Sequence, residues 1–254
     1  MILEVCIDSV EAALAASRGG AGRVELCADL LEGGVTPSAG LIASVRRQIK
    51  LDLFVIIRPR GGDFFYSDSE FAVMEAEIAH ARALGVDGVV VGMLSEECRV
   101  DVARTRRLVE LAAPLPVTFH RAFDHTPDLA AALEDVIATG AHRVLTSGGA
   151  PDAAEGAETI ARLVRQASGR IHIMPGGGVR LANIAALAAT GATEFHTSLR
   201  TAYASPARGG NPAVAVSRLG HDGMDLERTR FTVREEDVRA LTNELERLER
   251  FQSS

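Results

Sequence analysis

Two acids and two thiols recur at one spacing near the start of the chain: Glu4-Val5-Cys6 and, 21 residues later, Glu25-Leu26-Cys27. In extended backbone alternate residues share a face, so each glutamate sits beside its cysteine while Val5 and Leu26 point the other way. A carboxylate on an inward face must be paired or put to use, because burying it alone is costly. Further along, Arg58-Pro59-Arg60 offers two cations that could grip a carboxylate or phosphate or neutralise the glutamates. The stretch Thr118-Phe-His120-Arg-Ala-Phe-Asp124 and the phrase Glu194-Phe-His196 add two imidazoles and a further acid. These are the residue types of general acid/base or metal-ligand chemistry. Glu4, Glu25, His120, Asp124 and His196 are therefore the acid/base candidates, with Arg58 and Arg60 as anion-binding candidates. The turns Ser147-Gly148-Gly149 and Pro175-Gly176-Gly177 would let backbone N–H groups approach an anion closely.

What must position these side chains is a recurring phrase: a helical run ends at Gly, followed by a small residue, polar residues and a β-rich segment. It reads G-A-G-R-V-E-L from Gly20, G-V-D-G-V-V-V-G from Gly85, G-A-H-R-V-L-T-S-G from Gly140 and G-A-T-E-F-H-T-S from Gly191. Each opening Gly reads as a helix-closing residue and each following run as a buried strand. Further strands are expected over 2–6, 53–58, 116–121 and 171–174, making eight. Helix starts are expected at Asp8 with Glu11, at Ser67 with Glu70, and at Thr36-Pro37 and Thr126-Pro127.

Eight alternating β/α units in this length fit the arithmetic of a closed parallel (β/α)8 TIM barrel, an α/β fold in a single domain. An open doubly wound sheet is the alternative, but no G-x-G-x-x-G follows the first strand. The barrel is expected over about 1–199, followed by an irregular loop over 200–231 rich in Gly, Pro, Arg and Ser. A C-terminal helix over 232–251 then carries Val238, Leu241, Leu245 and Leu248 on one apolar stripe. In such a barrel the active site lies at the C-terminal strand ends, where all the candidates above converge.

Composition narrows the chemistry. The chain of 254 residues carries 27 basic residues, of which only Lys50 is lysine, against 34 acids, for a net charge of −7. That balance argues against nucleic-acid and polybasic membrane partners. A Schiff base would need Lys50, which precedes the third strand and so falls at the opposite end of the barrel. Three cysteines in a chain this long do not make a disulfide framework, and none forms a C-x-x-C pair. A reducing cytoplasm is the expected location, and no run of about 18 apolar residues suggests a membrane span.

The ordered phrases E-V-C-I-D-S, R-V-E-L-C, R-P-R-G-G-D-F-F-Y-S, T-F-H-R-A-F-D, L-T-S-G-G, M-P-G-G-G-V and E-F-H-T-S resemble the CutC family, from residue 2 to about 198. The resemblance implies a cytoplasmic (β/α)8 barrel linked to copper homeostasis and assembled as a homo-oligomer, a dimer or tetramer. Carried over by position, it marks Glu4, Cys6, Glu25, Cys27, Arg58, Arg60, His120, Arg121, Asp124, Ser147 and His196 as mouth residues. Its Cu(I) site would fall on Cys6 and Cys27, consistent with the preference of soft Cu(I) for sulfur. Two functions stay open. One is Cu(I) binding by those thiols. The other is an enzyme whose carboxylates and histidines act on a small anionic or phosphorylated substrate held by Arg58, Arg60, Arg121, Ser147 and the glycine turns.

Overall fold

The four phrase-opening glycines all adopt left-handed backbone. Their φ is +88° at Gly20, +75° at Gly85, +85° at Gly140 and +88° at Gly191 in the computed structural model, which describes residues 1–206 and 229–252. Glycine takes this conformation without the steric penalty other residues meet, so each helix stops there and the chain turns into a strand. The resulting order is β1 (Ile2–Ile7), α1 (Val10–Arg18), β2 (Arg23–Leu26), α2 (Ala39–Gln48), β3 (Asp52–Ile56), α3 (Asp68–Ala83), β4 (Gly88–Val91) and α4 (Val102–Ala112). It continues β5 (Val117–Phe119), α5 (Leu129–Thr139), β6 (Arg143–Thr146), α6 (Ala157–Ala167), β7 (His172–Pro175), α7 (Ile184–Ala188) and β8 (Glu194–Thr197).

The eight strands run parallel in the order β7-β6-β5-β4-β3-β2-β1-β8. β7 and β8 lie side by side and nearly close the barrel. Outward strand residues such as Val5, Leu26, Val55, Val89, Phe119, Val144 and Phe195 are fully buried against the helices, with Ile78, Leu108, Val136, Ile160 and Leu187 among their partners. A separate, smaller apolar cluster of Cys6, Cys27, Phe54, Ile56 and Val90 fills part of the barrel interior. The helix-start readings need shifting. Ser67 and Glu70 do form a capping box, but the other caps are Ser9, Ser38 and Asp128 rather than Asp8, Thr36 and Thr126. Each of these side chains accepts an N–H of the first turn, which is the work of a cap.

The stretch expected as an irregular loop over 200–231 contains strand residues at each end. Arg200–Ala204 (β9) and Thr229–Val233 (β10) pair antiparallel, and positions 207–228 lie outside the described residues. The last helix, α8 (Glu235–Gln252), starts three residues later than expected. Val238, Leu241 and Leu245 are buried, and α8 lies against α1, α7 and β1. The apolar stripe therefore packs across the seam of the barrel wall where α7 and α1 flank β1. No helix among the described residues is long and apolar enough to cross a membrane.

Candidate functional site

The register of the parallel strands decides which side chains meet inside the barrel. Glu4 lies opposite Arg23 on one side and His196 on the other, and Cys6 lies opposite Glu25. All of these point inward and form two tiers. In the lower tier Arg23 bonds to both Glu4 and Glu194, and Arg143 holds Glu194 through Nε at 2.8 Å. Both guanidiniums lie over the ring of Phe54, at 4.8 and 5.1 Å from its centroid. The buried charges thus alternate in sign, which is how a low-dielectric interior can hold them.

The upper tier borders a cavity of about 360 Å³ at the C-terminal mouth, large enough for a small metabolite. Cys6, Glu25, Arg58, His120, Arg121 and His196 line it, together with Glu32, Phe64 and His125. His196 links the tiers: its Nδ1 is 2.7 Å from Glu4 Oε1 and its Nε2 3.7 Å from Glu25 Oε2. Cys6, Glu25 and His196 present ligand atoms within 4.8 Å of one another, the arrangement a metal ion could use. Cys27 stands just behind, its Sγ 3.6 Å from that of Cys6. Gly34, with φ +91°, covers it so closely that a Cβ there would lie 3.2 Å from the sulfur.

Proximity and burial shift these groups apart. Burial works to raise the Glu4 pKa, but the Arg23 charge and the His196 hydrogen bond overcome it and hold Glu4 down at about 2. Burial also opposes a charge on His196, yet its contacts with Cys6, Glu4 and Glu25 push its pKa well above the usual value. The hydrogen bond from Cys27 lowers the Cys6 thiol to about 6 despite burial, while Cys27 itself is pushed well up. Burial, joined by the neighbouring Cys6 charge, raises Glu25 well above the carboxylate range.

His120 lines the same cavity as His196 but is shifted in the opposite direction. Its Nδ1 accepts the Ala122 N–H at 3.1 Å, so the proton of the neutral ring sits on Nε2. Burial and the Arg58 charge depress its pKa to about 3. Arg58 is buried as well, and it is a clamp: Nη1 donates to the carbonyls of Glu32 and Gly34, and Nη2 to that of Gly62. It shapes the mouth by tying the loops after β2 and β3 together.

Several candidates sit elsewhere. Arg60 does not share the inward face of Arg58; it turns outward to Glu70 and Asp63 and stacks on Tyr66, because Pro59 and the turn at Gly61-Gly62 redirect the chain. Asp124 is saturated by Arg121, Thr146, the Ser147 N–H and hydroxyl, and the Gly149 N–H. It anchors the β5 and β6 loops to one another instead of facing the cavity. The Gly148 and Gly176 N–H groups are likewise taken, by Thr146 Oγ1 and the Thr146 carbonyl. Gly177 lines a neighbouring cavity of about 250 Å³ with Gly178, Ser198 and Arg200. The sequence reading missed Arg23, Arg143 and Glu194. Their signal was in the phrase itself, since each stands third after its Gly. The fourth phrase has Gly88 there, where a Cβ would lie 2.4 Å from the Phe54 ring that the two arginines flank.

The model of the family described as CutC matches residues 1–201. The chain belongs to the CutC family. Among CutC relatives, the mouse copper homeostasis protein cutC homolog is 49% identical over 91% of this chain and 86% of its own length. The CutC family protein of Chromobacterium violaceum is 50% identical over 97% of this chain and 98% of its own. A CutC crystal structure from Streptococcus agalactiae superposes with a TM-score of 0.74 at 33% identity, covering 77% of this chain and 97% of that one. The CutC match spans β1–β8, the whole of the wall that carries the two tiers.

Proposed function

We propose that this chain acts in copper homeostasis by holding Cu(I) as cargo on Cys6 and Cys27, with His196 as a third donor. The observation that carries the reading is the sulfur pair: two free, buried thiols 3.6 Å apart, of which Cys6 lines the cavity and lies within 4.8 Å of the His196 imidazole. Cu(I) is soft and prefers thiolate and imidazole over the carboxylates of this mouth. A ligand must lose its proton to bind, so Cys6, with its depressed pKa, is poised to bind, while Cys27 and His196, both shifted upward, would release their protons as the ion enters. So does the register. Cys6 pairs with Glu25, which makes Cys27 its diagonal neighbour. Diagonal neighbours on one sheet face lie roughly 7–8 Å apart at the backbone, beyond the span of about 4.4–6.8 Å that a disulfide tolerates. The thiols can share an ion without collapsing into a disulfide. We propose that the protein works in the reducing cytoplasm, where ligating thiols stay reduced, and that it works as a homo-oligomer.

The test is Cu(I) competition against a chromogenic chelator under anaerobic conditions. One Cu(I) per chain is expected, with affinity falling at least about tenfold in both Cys6→Ser and Cys27→Ser. Wild-type affinity in both variants would overturn the assignment.

A further inference from the structure

The thiol pair occupies only one corner of the mouth, and the rest is built of donors. His120 is 5% exposed, its Nε2 is buried with no partner among the described residues, and it lines the cavity. Its ring is fixed on every other side. Phe64 packs against it at 5.1 Å, Ala122 occupies Nδ1, and Gly92 backs it so tightly that a Cβ there would lie 2.2 Å from Cε1. A buried donor left unmatched costs about 1–3 kcal/mol, so this ring is held in place at the expense of stability.

The second cavity adjoins the first through Gly33, Arg121 and His196, which line both. Its wall is the β7 turn Gly177-Gly178, the β8 end Thr197-Ser198, and Arg121 and Arg200. The N–H groups of Gly177, Gly178 and Ser198 make no hydrogen bond among the described residues. Arg121 gives Nε to Asp124 and Nη2 to Ser147, and its Nη1, which has no hydrogen-bond partner among the described residues, lies beside Gly177, where a Cβ would come within 3.1 Å of it. Arg200 faces Asp8 at 3.6 Å and the ring of Phe231, and its buried Nε has no partner among the described residues. Backbone N–H groups beside guanidinium groups, at the turns after the last two strands, are the means by which such barrels take up phosphate.

We infer that the joined cavities bind a small phosphate ester bearing a second oxygen acceptor. The phosphate sits on the Gly177-Gly178 turn with Arg121 and Arg200, and the second oxygen accepts from His120 Nε2–H. The low pKa of His120 supports its part, since a neutral ring donates from Nε2 throughout the physiological range. This inference does not rest on the copper reading, because it needs neither sulfur.

The test uses the full chain without copper, in 150 mM chloride, with three probes: inorganic phosphate, dihydroxyacetone and dihydroxyacetone phosphate. Calorimetry should find the ester at least about tenfold tighter than either half. Arg121→Gln should weaken phosphate and ester alike by about tenfold, while His120→Gln should erase the advantage of the ester and leave phosphate binding unchanged. A measurement that needs no variant is the ¹H–¹⁵N spectrum of the wild type, in which phosphate should shift the Gly177 and Gly178 amides. Absence of those shifts, or an ester no tighter than inorganic phosphate, would overturn the proposal.

Discussion

His120 makes stability depend on pH in a direction opposite to that of a salt-bridged histidine. In the folded chain burial and the Arg58 charge lower its pKa to about 3, against 6.5 when unfolded. As pH falls through 6.5 the unfolded chain takes up a proton that the folded chain refuses, so stability is present above that pH and drains away toward the folded pKa. Each unit is about 1.4 kcal/mol, so lowering the pH from 7 to 5 should remove about 2 kcal/mol through this residue. His196 has the opposite shift and has given its full contribution once the pH is below the unfolded value. Comparing profiles isolates His120. Urea unfolding of the wild type and His120→Gln at pH 7.0, 6.0 and 5.0 should show the wild type losing about 2 kcal/mol more than the variant by the acid end. The folded-state imidazole resonance of His120 should not titrate above pH 5. Parallel profiles, or a resonance with its midpoint near 6.5, would refute the argument that this ring is sealed and neutral.

Other consequences follow from the tiers and the wall. Arg23→Met leaves Glu4 and Glu194 without their shared guanidinium and should cost about 3–5 kcal/mol in urea unfolding; a loss below about 1 kcal/mol would mean the lower tier is not a working ion network. Gly92→Ala forces a methyl into the His120 ring, so it should cost about 1–3 kcal/mol and raise the His120 pKa as the ring is pushed out, both read by the same titration. Leu245→Ala removes a side chain at 2% exposure from the seam between α8 and the barrel, and should cost about 2–5 kcal/mol by calorimetry; an unchanged melting temperature would show the helix to be an appendage.

The barrel could be read from the sequence because one local device repeats. Gly20, Gly85, Gly140 and Gly191 each close a helix in left-handed backbone ahead of a strand, and eight strands joined by helices leave few topologies. Period-two alternation likewise placed Glu4, Cys6, Glu25 and Cys27 inside. What alternation could not supply was depth along the barrel axis. Glu4 and Cys6 share a face, yet one is buried with Arg23 and the other borders the cavity. Nor could it follow the chain past a strand end. Arg58 and Arg60 are two residues apart, but Pro59 and the glycine turn send one to the mouth and the other to the surface. Asp124 looked like an acid/base group because its type allows it; the five donors that saturate it come from residues 121–149 and become visible only when β5 and β6 are side by side. The charged floor was overlooked for a different reason. Arg23, Arg143 and Glu194 read as polar filler within the repeat, although a charged residue on an inward strand face has to find its counter-charge somewhere in the barrel.

Two sulfurs on adjacent strands, Cys6 and Cys27, are the proposed soft-metal site. X-ray absorption at the copper edge of the anaerobically Cu(I)-loaded protein tests it directly. Two sulfur scatterers with one nitrogen are expected in the wild type, and a single sulfur in Cys27→Ser. A first shell of nitrogen and oxygen alone, or a spectrum unchanged by Cys27→Ser, would contradict it.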